Sequence, residues 1–201
     1  MSRQGAVCCA LLALWGACAD AASQPDPGAD PDAGSPEGED AAAEAAADAE
    51  REPEALAHAA LWSPVDASED PFAPAAAVRC LPDSFGEESL GGALGFYVRT
   101  ELCPALTVRQ ALRVDIGQGD TVHVRLFHFP LTAPEPATAR LILLLGTDEL
   151  LHEEIPIPSG QAELRAEWVA AADYARGTPL WFHVENHGAN EYVLLSVERQ
   201  P

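Results

Sequence analysis

Hydrophobic and polar residues alternate along several short stretches in the second half of this 201-residue chain. The clearest stretch is TVHVRLFHF at 121–129. One face of a strand here would carry Val122, Val124 and Leu126. The other face would carry His123, Arg125 and Phe127. This pattern predicts a strand with one buried and one solvated face, as is common in antiparallel sheets.

Similar runs follow one another, separated by turns rich in glycine, proline and asparagine. Further strands are predicted at 95–100, 106–114, 140–145, 149–155, 162–170, 180–186 and 192–199. That makes about eight strands at intervals of roughly ten to fifteen residues. No periodic stretch is long enough for a crossover helix. The predicted fold is therefore all-β, an antiparallel β-sandwich of jelly-roll type over residues 80–201.

The N-terminus has the pattern of an export signal. Arg3 precedes an apolar stretch from Gly5 to Ala17, which is long enough for a signal peptide and too short to span a bilayer. Residues 14–18, LWGAC, resemble a bacterial lipobox, although tryptophan stands at position 15 where leucine is usual. That resemblance implies a signal peptide at 1–18 and a lipid on Cys18. The alternative is ordinary cleavage after Ala21, at an AxA site.

Alanine rather than aspartate follows Cys18, which resembles lipoproteins that are passed to the outer membrane. The predicted location is therefore the outer membrane, through a lipid anchor. A periplasmic or secreted soluble protein is the alternative.

An acidic segment separates the signal from the predicted sandwich. Residues 19–54 hold twelve acids and a single base, and residues 20–54 hold no aromatic residue, leucine, isoleucine or valine. Such a composition cannot bury enough apolar surface to fold, which predicts a disordered linker at 19–60 and an irregular lead-in at 61–79. The net charge of −21 argues against binding to nucleic acid.

Two of the five cysteines, Cys80 and Cys103, lie beyond the N-terminal segment. An even pair in an exported chain predicts a disulfide, which would stabilise the domain by about 3 kcal/mol. Two free buried thiols are the alternative. A zinc site is not predicted from two thiols without CxxC spacing.

Histidines and a carboxylate alternate near the end of the chain. His183, Glu185 and His187 would project from one face, and His123 could join them if its strand were a neighbour. Imidazole and carboxylate are ligands for zinc or copper, so these four residues are a candidate metal site. The spacing matches no established metal motif, and solvated histidines on a strand surface are the alternative.

Aromatic residues form a second candidate site. Trp181, Phe127 and Tyr192 could make an exposed platform for sugar rings, with Asn190 in the neighbouring loop. Cross-strand pairing of the aromatic residues explains them equally well. No serine lies in GxSxG, so no catalytic site is predicted and no cofactor is implied.

Residues 111–199 carry a loose family pattern. A Gly-Asp-Thr turn at 119–121 enters one strand, a Gly-Thr-Pro turn at 177–179 enters LWFHVEN, and YVLLSVE closes the sheet. This resembles the bacterial pre-peptidase C-terminal domain and related carbohydrate-binding jelly rolls. It is also similar to a group of bacterial lipoproteins with acidic linkers. The resemblance implies a non-catalytic, lipid-anchored module with a protein or glycan partner; the alternative is a metal-binding periplasmic protein.

Overall fold

A computed structural model describes residues 52–72 and 79–200. The predicted signal peptide, the predicted lipidation site at Cys18 and the acidic segment as far as residue 51 lie outside the described residues. Among the residues described, no helix is long and apolar enough to cross a membrane.

The described residues form eleven β-strands and one short 3-10 turn at Ala59–Leu61. The strands are β1 (Glu54–Ala55), β2 (Ser63–Pro64), β3 (Phe85–Leu90), β4 (Ala93–Arg99), β5 (Ala105–Ala111), β6 (Thr121–His128), β7 (Ala137–Leu145), β8 (Asp148–Ile157), β9 (Ala162–Val169), β10 (Pro179–Glu185) and β11 (Glu191–Gln200).

These strands make two antiparallel sheets, so the predicted all-β sandwich is confirmed. Sheet A has the order β3-β4-β11-β6-β9, and β1 also pairs with β11. Sheet B has the order β2-β5-β10-β7-β8. The consecutive strands β10 and β11 thus lie in the middle of different sheets, and the loop between them passes from one sheet to the other.

The core lies between the two sheets. In β6 the alternation is as predicted, because Val122, Val124 and Leu126 are buried against sheet B and the residues between them face outward. Trp62 closes one side of the core, with its ring centroid 6.0 Å from that of Phe96 in sheet A and 6.2 Å from that of Phe182 in sheet B.

The sandwich begins earlier in the chain than the composition predicts. Glu54 and Ala55 pair with the end of β11, and Leu56 is fully buried. Acidic neighbours dominate the composition of this segment, but single apolar residues such as Leu56 and Trp62 are enough to anchor it in the core.

Strand β3, which the hydrophobic pattern does not predict, forms a hairpin with β4. The turn is Gly91-Gly92, with φ angles of 60° and 87°, the left-handed backbone that a tight hairpin turn needs. Cys80 and Cys103 are joined in a disulfide with a Cα–Cα distance of 4.3 Å. The disulfide therefore closes a loop that contains both strands of this hairpin.

Candidate functional site

Strand β10 presents three of the predicted site residues on the outer face of sheet B. Trp181, His183 and Glu185 point away from the core, as their alternation predicts. His183 pairs with Thr107 in β5 and with Ile142 in β7, so its side chain lies in the centre of this face.

His183 is nevertheless only 1% exposed. Its Nδ1 forms a 2.8 Å hydrogen bond with Thr107 Oγ1, and the Phe72 ring lies on its imidazole with a centroid distance of 4.7 Å. Burial, and then the nearby Arg140 charge, lower the pKa of His183 to about 4. The imidazole is therefore neutral at pH 7. Its Nε2 has no hydrogen-bond partner among the described residues.

The four predicted metal ligands are not brought together. His123 lies in β6, on the outer face of sheet A, at the opposite side of the sandwich from His183. His187 is exposed beyond the end of β10, and Glu185 holds Arg140 at 2.6 Å. Across the described ranges, no group of three or more histidine, cysteine or acidic side chains could hold a metal ion. The expected cluster of His123 with the β10 residues is wrong, because β6 and β10 belong to different sheets.

The predicted aromatic platform is also divided. Trp181 lies on sheet B, Phe127 lies on the outer face of sheet A, and Tyr192 is fully buried in the core. The Tyr192 hydroxyl accepts a 2.9 Å hydrogen bond from Asn186 Nδ2, and burial raises the pKa of this phenol. Tyr192 is thus a structural residue, and the expectation that it is exposed is wrong.

Asn190 is buried in the loop before β11, where both polar atoms of its side-chain amide form hydrogen bonds. Its Oδ1 accepts from the Thr132 N–H at 2.6 Å, and its Nδ2 donates to the Thr132 carbonyl at 3.0 Å. Both polar atoms of the side chain therefore have backbone partners. This side chain positions the loop, which is a different role from the ligand contact that the sequence suggests.

The outer face of sheet A carries a different set of aromatic residues, which we call the sheet A platform: Tyr97, Phe127 and Phe129. Tyr97 and Phe127 lie in one row across the sheet, because both pair with Val193 of β11. The Phe129 ring meets Phe127 edge to face, with a centroid distance of 5.1 Å. All three aromatic side chains are partly exposed.

A charged pair lies beside the platform. Arg99 Nε donates to Glu191 Oε2 at 2.6 Å, a second Arg99 nitrogen lies 3.6 Å from Glu88, and the guanidinium lies over the Tyr97 ring at 4.5 Å. The hydrogen bond with Glu191 raises the pKa of Arg99. Burial, and then the Glu191 charge, raise the pKa of Glu88. The guanidinium plane is fixed in one orientation on a partly solvated surface.

An open groove of about 330 Å³ lies between the charged pair and Phe129, the one platform residue that lines it. Its walls are Arg99, Glu101, Phe129, Pro130, Ala189, Asn190 and Glu191. Phe129 supplies an apolar ring on one side, and Arg99 with Glu191 supplies donors and acceptors on the other. This combination can hold a ligand that has an apolar face and several hydroxyl groups.

The sequence pattern predicts only part of this site. It indicates Phe127 and Asn190 but does not single out Arg99, Phe129 or Glu191. The alternation of Phe127 and Phe129 was visible, since both follow the outward positions of TVHVRLFHF. The pairing of Arg99 with Glu191 was not visible, because 92 positions separate them.

No family model and no curated protein matches the sequence. Among solved structures, the CBM22-1 xylan-binding domain of Paenibacillus barcinonensis Xyn10C is similar, with a TM-score of 0.36 and 11% identity over 74% of this chain and 91% of that chain.

A second solved structure, the K3 cleaved adhesin domain of Lys-gingipain from Porphyromonas gingivalis w83, has a TM-score of 0.41 and 14% identity over 76% of this chain and 100% of that chain. A third, the non-crystalline cellulose specific module CBM28, has a TM-score of 0.39 and 11% identity over 58% of this chain and 80% of that chain. With TM-scores below 0.5, all three are distant similarities.

Proposed function

We propose that this chain is an exported, non-catalytic module that binds a glycan on the outer face of sheet A. The observation that carries the proposal is the groove in which the Phe129 ring faces the Arg99–Glu191 pair. The sheet A platform extends this surface across three strands, from Tyr97 in β4 past β11 to Phe127 in β6.

Sugar rings match both halves of the groove. Their C–H faces pack on aromatic rings, and their hydroxyl groups need donors and acceptors at fixed positions. The Arg99 guanidinium offers planar N–H groups and the Glu191 carboxylate offers acceptors. Because each is already oriented by the other, little side-chain entropy is lost when a ligand binds.

The charge of the site favours a neutral glycan. Arg99 is the cation of the groove, and Glu88 and Glu191 both lie within 4 Å of it, at 3.6 and 2.6 Å. Glu101 adds a further acid at the wall of the groove. An anionic polysaccharide would meet a local excess of negative charge on a chain whose net charge is −21.

Anchoring at Cys18 is a separate part of the proposal. It is supported by the lipobox-like LWGAC at 14–18. A lipid at this position would attach the module to the outer membrane; cleavage after Ala21 would release it into the periplasm or medium. Globomycin, which blocks lipoprotein signal peptidase, should cause the precursor to accumulate. Unchanged processing in its presence would favour the soluble form.

Binding of the processed chain to an array of neutral glycans, followed by calorimetry with the best ligand, tests the glycan proposal. Phe129→Ala and Arg99→Gln should each weaken binding by about fivefold or more, since a stacked ring and an ordered donor each contribute about 1 kcal/mol or more. Trp181→Ala is the matched control, because this aromatic residue lies on the other sheet.

Three results would contradict the proposal. The first is that no neutral glycan binds. The second is that binding survives both groove substitutions. The third is that binding is lost with Trp181→Ala, which would move the site to sheet B.

A further inference from the structure

A short segment crosses the outer face of sheet B, on the opposite side of the molecule from the glycan groove. We call residues 65–72 the strap. At its start, the Val65 N–H donates to the Thr107 carbonyl at 3.0 Å. Farther on, Glu69 lies 3.3 Å from Arg109, and Phe72 ends the strap on the His183 ring. The strap therefore runs from β5 to β10.

Much of the order of the strap comes from its own turns. The N–H groups of Glu69 and Asp70 donate to the Asp66 carbonyl, at 2.8 and 3.1 Å, and the Phe72 N–H donates to Asp70 Oδ1 at 2.8 Å. These bonds hold the strap together without holding it to the sheet.

The contacts with the sheet are few among the described residues. The Arg109–Glu69 pair is about half exposed on both sides, with side-chain exposures of 45% and 56%, and such pairs contribute little. The ring contact of Phe72 with His183 contributes about 1 kcal/mol. A segment held this way can open locally at a much smaller cost than global unfolding.

The centre of the outer face of sheet B, where the strap ends, is nevertheless well buried. His183 is 1% exposed and Ile142 is 5% exposed, although both lie on the outer face rather than between the sheets. Beneath the Phe72 ring, His183 Nε2 is buried with no hydrogen-bond partner among the described residues, and Glu185 Oε2 lies 3.8 Å from it. Water could satisfy this nitrogen if the strap moved away.

Charged and titratable groups surround His183 on every side. On the strap they are Glu69 and Asp70, on β5 Arg109, on β10 Glu185, on β7 Arg140 and on β8 His152. Burial and the Arg140 charge disfavour the imidazolium, whereas Asp70 and Glu185 favour it. The net effect lowers the pKa of the covered His183 to about 4, with burial as the largest cause.

We propose that the strap is an acid-released cover, in which protonation of His183 favours a state with residues 65–72 lifted from the outer face of sheet B. Lifting exposes the imidazole beside Trp181, which is already partly exposed on the same face, and so creates a second aromatic surface on the module. This device is independent of glycan binding on sheet A.

Proton linkage determines in which direction a change of pH shifts the opening of the strap. The covered imidazole has a pKa of about 4, and an imidazole in water has a pKa of 6.5. Below pH 6.5 the open state therefore binds more protons than the closed state, and acid favours opening. Between pH 7.5 and pH 5 the ratio of open to closed molecules should rise roughly 30-fold. Aspartate and glutamate with ordinary pKa values stay largely ionised over this range.

Hydrogen–deuterium exchange of the full chain, read on a peptide covering residues 65–72, tests the proposal. Protection factors, which remove the intrinsic pH dependence of exchange, should fall at least tenfold between pH 7.5 and pH 5. In His183→Gln, whose side chain can still bond Thr107 but does not titrate, the protection factors should not depend on pH. His187→Gln removes an exposed histidine just beyond β10 and should behave as wild type.

Protection that is constant with pH in the wild type, or that falls equally in His183→Gln, would overturn the proposal. If His183→Gln does not fold, Phe72→Ala gives a second test. Removing the covering ring should raise the pKa of His183, measured by NMR of its Cε1–H, towards 6.5. An unchanged pKa in Phe72→Ala would overturn the proposal just as clearly.

Discussion

The side-chain amide of Asn190 pairs with both backbone polar groups of Thr132. The two hydrogen bonds, 2.6 Å from the Thr132 N–H and 3.0 Å to its carbonyl, reproduce the exchange of bonds between two paired strand residues. This pairing joins the loop before β11 to the segment after β6. Because Asn190 also lines the groove beside Phe129, the same amide fixes one wall of the proposed site.

Asn190→Ala should lower the free energy of unfolding by about 1–3 kcal/mol, because two polar groups of Thr132 lose their partner in a partly buried place. Urea unfolding measures the change. His187→Ala alters an exposed residue of the same loop and should stay within about 0.5 kcal/mol of wild type. Equal effects of the two substitutions would show that the Asn190 amide contributes nothing specific.

Gly95 lies where β4 passes closest to β11. A Cβ at this position would lie 2.6 Å from Val193 Cγ1 and 2.9 Å from the Leu194 carbonyl oxygen. Gly95→Ala should therefore destabilise the domain by about 1–3 kcal/mol, since the backbone of β11 must shift. Gly160→Ala is the matched control, because a Cβ there meets nothing within 4 Å. Thermal unfolding should separate the two variants; coincident curves would contradict the close approach.

The Cys80–Cys103 disulfide closes a loop with a sequence separation of 23. Its reduction should lower the free energy of unfolding by about 3 kcal/mol, chiefly because the unfolded chain gains freedom. Urea unfolding with and without dithiothreitol measures this difference. The double variant Cys80→Ser, Cys103→Ser should already be destabilised and should not respond to the reductant. A response in that variant would assign the effect to other cysteines.

Tyr192→Phe should cost less stability at alkaline pH than at neutral pH. At pH 8 it removes the hydroxyl that accepts from Asn186, which costs about 1 kcal/mol. Burial raises the pKa of Tyr192 above its ordinary value of 10.0, so the unfolded state releases its proton first. The stability that the protonated Tyr192 phenol contributes is complete below pH 10 and is lost as pH rises further.

Between pH 9 and pH 11, wild type should therefore lose more stability than Tyr192→Phe, and the gap between them should narrow. Unfolding in urea at each pH measures this. Parallel profiles would mean that the phenol ionises equally well in the folded protein.

Alternation predicted the fold because most strands have one solvated face. In β6 the buried and outward residues follow the sequence pattern directly. Strand β11 does not alternate in this way, because Val193 is buried on the outer face between Tyr97 and Phe127 while Tyr192 is buried on the inner face. A strand buried on both faces gives no sequence signal that separates its inner from its outer face, so the pattern does not predict that Tyr192 lies in the core.

Long-range packing accounts for the remaining differences between the prediction from sequence and the structure. The face of His183 was predicted correctly, but its burial depends on Phe72, which lies more than a hundred positions earlier in the chain. The hydrophobic pattern does not predict β3, because FGEESL is acidic and lies at the edge of sheet A, although the Gly91-Gly92 pair after it is a turn signal.

The central place of β11 has a consequence for biosynthesis. β11 pairs with β4 on one side and β6 on the other, and its far end also pairs with β1. Without it, sheet A would fall into two separate ribbons, β3–β4 and β6–β9, neither of which is a stable structure alone. A nascent chain must therefore leave the ribosome as far as residue 200 before sheet A can form as one continuous sheet.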